Sequence, residues 1–91
     1  MVSEKAQASK FPPMPTVLRL RGYRFYFYAN EGTEPPHIHV DKAGATAKLW
    51  LSPLRWHECH GFSPTQQRAI ERMIQQHHAM LMERWNEFFG Q

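Results

Sequence analysis

The chain has little of what the most recognisable functional sites are built from. Its 91 residues include a single cysteine, Cys59, which excludes an internal disulfide and any zinc site made of several cysteines. No apolar run approaches the length of a membrane span, and the first residues lack the apolar centre of a signal peptide. Glycine-rich phosphate loops, serine-centred elbows and EF-hand patterns are absent too. We therefore expect a cytoplasmic protein without a membrane segment.

The remaining composition is that of one small globular domain. Hydrophobic residues make up 42% of the chain and aromatic residues 13%, and the length leaves room for a single core. A net charge of +3 permits an anionic partner without requiring one. Residues 1–13 are rich in Ser, Lys and Ala and end in Pro12-Pro13, which predicts a flexible arm before one domain over residues 14–91.

Alternation of apolar and polar residues predicts four short strands. The first two, residues 16–21 and 23–28, flank a turn at Gly22. A loop and two prolines then lead into a third strand that begins at His37, and residues 45–51 form the fourth. The segment Leu54 to Phe62 has no clear period, and both a short helix and a loop fit it.

A single long helix is predicted after the strands. Ser63 and Gln66 form a capping box, and Pro64 suits the first helical position. Helical spacing and a stop at Gly90 give a helix of roughly 25 residues, with His78 expected to face solvent. One face of this helix is apolar and consists of Ile70, Met73, Ile74, His77, Leu81, Trp85 and Phe88. The predicted fold is therefore α+β, a four-stranded, mostly antiparallel sheet with one long C-terminal helix across one face.

Strand parity sorts the side chains of the sheet onto two faces. The apolar face, which the helix must cover, consists of Leu18, Leu20, Phe25, Phe27, Ile38, Val40, Ala47, Leu49 and Leu51. The outer face is predicted to be exposed and consists of Arg19, Arg21, Arg24, Tyr26, Tyr28, His37, His39, Asp41, Thr46, Lys48 and Trp50. Polar outer faces are ordinary in antiparallel sheets, but aromatic residues grouped with arginines are typical of binding surfaces.

The two histidines of the outer face are the first candidates for chemistry. His37 and His39 lie two residues apart on one strand, so their imidazoles should be neighbours. They could act as general acid and base, with Arg24 and Lys48 stabilising developing negative charge, as in metal-independent ribonucleases. A purely structural role, with hydrogen bonds to tyrosines or Asp41, is the more ordinary alternative.

Metal binding by the same histidines is a further alternative. His37 and His39 would supply two ligands, but the segment Trp56 to His60 matches no recognised ligand spacing, so we predict neither a metal nor another cofactor. The missing ligands would have to come from Asp41, His57, Cys59 or His60.

The cationic and aromatic residues of the outer face predict a binding surface. Sheets that bind RNA combine aromatic rings for the bases with cations for the phosphates. The same kind of surface also docks proteins. The residues predicted to bind nucleic acid or a protein partner are Arg19, Arg21, Arg24, Tyr26, Tyr28, Lys48 and Trp50.

Several separated motifs occur in one order along residues 14–90. They are Met14-Pro15-Thr16-Val17, Tyr23–Tyr28, Asn30-Glu31-Gly32, Pro35-Pro36-His37-Ile38-His39-Val40, Ala47–Pro53, Gly61-Phe62-Ser63 and Trp85–Gly90. In this order and spacing they resemble the bacterial family called domain of unknown function 4160, whose hallmark is the histidine motif.

The resemblance implies a role in a two-gene module. Members of that family are often encoded beside a small protein of the family called domain of unknown function 2442, a pattern typical of toxin–antitoxin pairs. The resemblance places His37 and His39 first among the functional residues, whereas the histidines of residues 56–60 depart from the family pattern. We therefore expect a toxin that acts on RNA or the translation apparatus and is held by an antitoxin. The alternative is a non-catalytic domain that docks a protein partner.

Overall fold

A computed structural model describes residues 16–90, so the predicted arm and the start of the domain at Met14 lie outside the described residues. The elements are β1 Thr16–Leu20, β2 Tyr23–Tyr26, β3 His37–Lys42, β4 Ala45–Leu51, β5 Leu54–His60, α1 Pro64–Gln76 and α2 His78–Phe89. The strands form one antiparallel sheet in the order β1-β2-β3-β4-β5. The predicted α+β class is confirmed, and the sheet follows the chain as a simple meander.

The sheet has five strands, so the prediction of four was wrong. Strand β5 lies in the segment for which both a short helix and a loop fit the sequence. It pairs with β4 after a turn at Ser52-Pro53. Its register shifts between Lys48 and Leu49 of β4, which oppose Glu58 and Trp56 and leave His57 as an extra residue. This β-bulge breaks the two-residue period, because the inward residues of β5 are no longer evenly spaced.

Two helices follow the sheet, so the prediction of one continuous helix was also wrong. The capping box at Ser63 is present, but helical geometry is interrupted at His77, whose φ and ψ are −115° and 18°. At this break His78 does not face solvent, because its Nε2 is hydrogen-bonded to the carbonyl oxygen of Leu51 at the end of β4. Apolar residues keep their helical spacing through the break, which is why the sequence alone predicts one helix.

The core lies between the sheet and the helices, where the predicted apolar face is confirmed. Phe25, Ile38 and Leu49 are fully buried, and α2 contributes Leu81 and Trp85 to the same cluster. Within residues 16–90, neither helix is long and apolar enough to cross a membrane. Trp85 reaches beyond the core to the first residue of β3, and this contact places the candidate site.

Candidate functional site

The two histidines of β3 lie side by side, as the alternation of strand side chains predicts. The ring centroids of His37 and His39 are 5.2 Å apart, and the rings meet edge to face. His37 opens β3 opposite Trp50 of β4, and His39 lies between Tyr26 of β2 and Lys48 of β4. Three neighbouring strands therefore fix the positions of the two imidazoles.

A carboxylate from the preceding loop joins the two rings. Oε1 of Glu31 lies 2.7 Å from Nε2 of His37 and 2.8 Å from Nε2 of His39. The other carboxylate oxygen, Oε2, lies 3.2 Å from the same nitrogen of His39. We call Glu31, His37 and His39 the histidine cluster. It is the only group of three or more His, Cys, Asp or Glu side chains with convergent ligand atoms among residues 16–90.

The loop formed by residues 27–36 brings this carboxylate over the sheet. Its path is held by backbone hydrogen bonds from Glu31 to Tyr28 and from Glu34 to Glu31. Glu34 then reaches Lys48, whose Nζ donates to its Oε1 at 2.8 Å. The loop thus folds back over the outer face and covers part of it.

Because of this cover, the prediction of a fully exposed outer face was wrong. His37 has no exposed surface, and Tyr26 and Lys48 are buried as well. The side chain of His39 retains 13% exposure. His37 is sealed by the loop on one side and by Trp85 of α2 on the other, with 4.9 Å between the two ring centroids. Parity assigns a face correctly but does not predict what folds over it.

Both ring nitrogens of His37 face oxygen atoms. Nδ1 lies 2.9 Å from the carbonyl oxygen of Pro35, while Nε2 faces the carboxylate of Glu31. A carbonyl oxygen only accepts hydrogen bonds, so Nδ1 carries a proton and donates it to Pro35. The contact with Glu31 is therefore a hydrogen bond only if a further proton lies on Nε2 of His37 or on the carboxylate.

Burial and hydrogen bonding act in opposite directions on the cluster. Partial burial alone would raise the pKa of Glu31, but the hydrogen bonds from His37 and His39 outweigh it and lower that pKa below its ordinary value. Burial lowers the pKa of His39 below its ordinary value, although the bond to Glu31 opposes this effect. At neutral pH His39 is therefore a neutral imidazole that donates its Nε2 proton to an ionised carboxylate.

A shallow pocket opens over the sheet beside the cluster. Its polar lining comes from Tyr26, Tyr28, His39, Thr46, Lys48 and Glu58, and we call it the sheet pocket. His39, Lys48 and Glu58 are successive cross-strand neighbours on β3, β4 and β5. An imidazole, an ammonium and a carboxylate therefore lie in one row, and only His39 belongs to both the pocket and the cluster.

Cations of the outer face are largely engaged by neighbours. Arg24 pairs with Asp41 at 2.8 Å and lies 4.1 Å from the ring centroid of Tyr26. Lys48 pairs with Glu34 and lies 4.8 Å from the ring centroid of Trp50. The predicted binding residues Arg19 and Arg21 are exposed at the β1 end of the sheet, while Tyr28 and Trp50 are half-buried.

The other ligands considered from the sequence do not join the histidines. Asp41 is occupied by Arg24, and His57 packs on Trp50 with ring centroids 5.1 Å apart. His60 pairs with Glu58 on β5. Sequence reasoning missed Glu31 and Glu34 because both lie in a loop. The available signal was two carboxylates placed just before a strand of histidines.

Comparison with known protein families identifies the family of the chain. The model of a family described as a domain of unknown function (DUF4160) matches residues 22–86, a stretch that includes the whole histidine cluster and the sheet pocket. No curated protein and no solved structure matches the chain.

Proposed function

The chain belongs to the DUF4160 family, and the resemblance to that family implies a two-gene module. We propose that the protein is the toxin of such a bacterial module and, from its site, that it acts on RNA. The observation that carries the proposal is the sheet pocket, where Lys48 and His39 are cross-strand neighbours. An ammonium group is suited to a phosphate, and an imidazole beside it is suited to proton transfer. This pair provides what a phosphodiester substrate requires.

Aromatic rings and cations around the pocket extend its contact with the phosphate along a single-stranded RNA. Tyr28 lines the sheet pocket, Trp50 lies beside Lys48, and both rings are partly exposed. Base–aromatic stacking contributes about 1–3 kcal/mol per base. Arg19 and Arg21 offer two more cations at the β1 end of the sheet. Their exposure suits contacts with further phosphates along the strand.

The two histidines have different roles in this proposal. His37 has no exposed surface and cannot touch a polymer without rearrangement, so it is a positioning residue that holds the carboxylate of Glu31. His39 borders the pocket and is bonded to the same carboxylate. The histidine cluster is therefore the reactive centre, and His39 is its catalytic residue.

A protein partner on the outer face is the second candidate. The pairing of Arg24 with Asp41 and of Lys48 with Glu34 lowers the positive potential of the face, which weakens the case for a polyanion. In a two-gene module the partner would be the antitoxin, a protein resembling the family of domain of unknown function 2442. Such a partner would cover the sheet pocket and hold the toxin inactive.

Growth and binding measurements test the proposal together. The gene is induced alone and then with its chromosomal neighbour, and the purified chain is titrated into labelled single-stranded RNA. We expect arrested growth in the first case, rescue in the second, and RNA binding that Lys48→Met weakens. Arg72→Ala is the matched control, because it removes an exposed cation from α1. Normal growth on induction together with no RNA binding would reject the function.

A further inference from the structure

We propose that the histidine cluster binds one divalent transition-metal ion, with Zn²⁺ as the best fit, through Nε2 of His37, Nε2 of His39 and the carboxylate of Glu31. The ion rests on the proposed function for its substrate only, because a metal-bound Nε2 of His39 could not also transfer a proton. Its binding can be measured without RNA. The ion would lie between the loop and β3, at the edge of the sheet pocket.

Convergence of the three ligand atoms is the first observation. One atom from each side chain lies within 4.8 Å of the others, and both imidazoles present the same nitrogen, Nε2, to the carboxylate. Ligands at about 2.0–2.2 Å from a tetrahedral zinc lie roughly 3.3–3.6 Å apart. The present nitrogen–oxygen distances of 2.7 and 2.8 Å are shorter by about 0.5–0.9 Å. Glu31 belongs to a loop, and a small outward shift of its carboxylate would make room for the ion.

The partners of the two ring nitrogens of His37 are the second observation. Its Nδ1 proton is committed to the carbonyl oxygen of Pro35, yet its Nε2 also faces an ionised carboxylate in a fully buried site. Without an ion, both contacts are hydrogen bonds only if a second proton lies on the ring or on the carboxylate. A metal ion would satisfy both groups without that proton, because it accepts the lone pair of Nε2 and binds the carboxylate at the same time.

Support around the ligands is the third observation. A metal-bound histidine usually donates its other ring proton to a carbonyl or a carboxylate, and the contact between His37 and Pro35 has this form. The ring of His39 stacks on Tyr26, with centroids 5.4 Å apart, and meets Tyr28 edge to face at 4.7 Å. Both ligand rings are therefore held in fixed orientations by neighbours that do not themselves bind the ion.

The donor set indicates the class of ion and its role. Two imidazoles and one carboxylate suit zinc and other first-row transition metals, whereas magnesium and calcium prefer oxygen ligands throughout. Three protein ligands leave a further position for water or substrate, which is the pattern of catalytic zinc. The sheet pocket borders His39, so a phosphate held by Lys48 would lie beside that position.

Zinc binding by the full-length chain is the direct test. Protein stripped with a chelator is titrated with Zn²⁺ by calorimetry, and bound zinc is counted by elemental analysis after dialysis. We expect one zinc per chain, no competition from Mg²⁺, and a Co²⁺ derivative with the visible absorption of a low-coordinate site. Glu31→Gln, which keeps the shape of the side chain, should lower the zinc affinity at least about tenfold. His39→Ala should abolish stoichiometric binding.

His60→Ala is the control for zinc captured at the surface, because His60 is exposed and lies outside the cluster. It should bind zinc like the unaltered chain. Near-ultraviolet circular dichroism establishes that each variant is folded, and Glu31→Gln carries the test if His39→Ala does not fold. A zinc affinity that Glu31→Gln leaves unchanged, or the absence of zinc binding by the unaltered chain, would overturn the inference. RNA binding by stripped protein would then still support the proposed function.

Discussion

The ring of Trp85 lies against the ring of His37, with centroids 4.9 Å apart and both side chains fully buried. The contact links α2 to the first residue of β3. The indole that anchors the helix therefore also covers His37 on the side of the histidine cluster that faces α2. On its other sides Trp85 meets Phe27 and Phe89, with centroids 5.2 and 4.2 Å away. Stability of the core and the geometry of the site therefore depend on one side chain.

Trp85→Ala should destabilise the protein and loosen the cluster together. Truncating a fully buried tryptophan costs about 3–5 kcal/mol, because the cavity is only partly refilled. Urea denaturation measures this loss. Phe88→Ala is the matched control on the same helix, because Phe88 is 42% exposed, and it should cost about 1 kcal/mol or less. Equal losses in the two variants would contradict the anchoring role.

Gly32→Ala should displace the loop that carries Glu31. A Cβ at Gly32 would lie 2.5 Å from Cδ1 of Phe89, and that ring is held by Trp85 and Phe88. Overpacking of this kind costs about 1–3 kcal/mol. We expect a lower melting temperature and weaker zinc binding.

A second substitution tests whether this contact is the cause. Phe89→Leu shortens the side chain opposite Gly32, so Gly32→Ala should cost less in the Phe89→Leu background than in the unaltered chain. Thermal melts of the four proteins in this double-mutant cycle give the coupling. Additive losses would mean that Gly32 is required for a reason other than space beside Phe89.

Local periodicity accounts for the parts of the fold that the sequence predicted. Strands β2 to β4 keep a two-residue period, and β1 keeps it from Leu18 onward, after a register shift between Thr16 and Leu18. The strand positions and both faces of the sheet therefore follow from parity. The two-residue period is interrupted by the bulge at His57, so the sequence does not predict β5. The helical spacing of apolar residues continues through the break at His77, so the sequence does not predict that the helix ends there. Elements were therefore missed where the backbone departs from regular geometry.

The candidate site was predictable only in part, for a related reason. Neighbouring imidazoles follow from strand geometry, but Glu31 reaches His37 from six residues upstream through the fold of a loop. No sequence period reports where a loop side chain returns. Burial of His37 depends on that loop and on Trp85, which is 48 residues further along the chain in the numbering of the sequence. Contacts with residues distant along the chain therefore decide which of the two histidines is accessible to solvent.

Ser63→Ala should weaken the start of α1. The hydroxyl oxygen of Ser63 accepts from the backbone of Gln66, and the side chain of Gln66 accepts from the backbone of Ser63. Losing such a cap costs about 1 kcal/mol, which lowers the melting temperature of a domain this small by roughly 4–8 °C. Thr65→Ala is the control, because the Thr65 hydroxyl accepts from the exposed side chain of Arg68 and its loss should cost about 0.5 kcal/mol or less. A melt of Ser63→Ala that matches this control would exclude a stabilising role for the capping box.

Lys48 and Glu34 should affect RNA binding in opposite directions. Nζ of Lys48 is 2.8 Å from the carboxylate of Glu34, so an incoming phosphate competes with that carboxylate. Lys48→Met should weaken binding and reduce the slope of log K against log salt by about 0.7, the value for one phosphate of a single strand. Glu34→Gln should strengthen binding about 2–5-fold, because about 0.5–1 kcal/mol of ion pairing no longer opposes the phosphate.

The control for Glu34→Gln is Glu83→Gln, which removes the same charge from an exposed position on α2. Fluorescence anisotropy with a labelled single strand at several salt concentrations measures both the affinity and the slope. Because the two variants carry the same net charge, any difference between them reports the position of Glu34 beside Lys48. If Glu34→Gln and Glu83→Gln bind RNA equally well, the phosphate is not held at Lys48, and the sheet pocket is not where RNA is engaged.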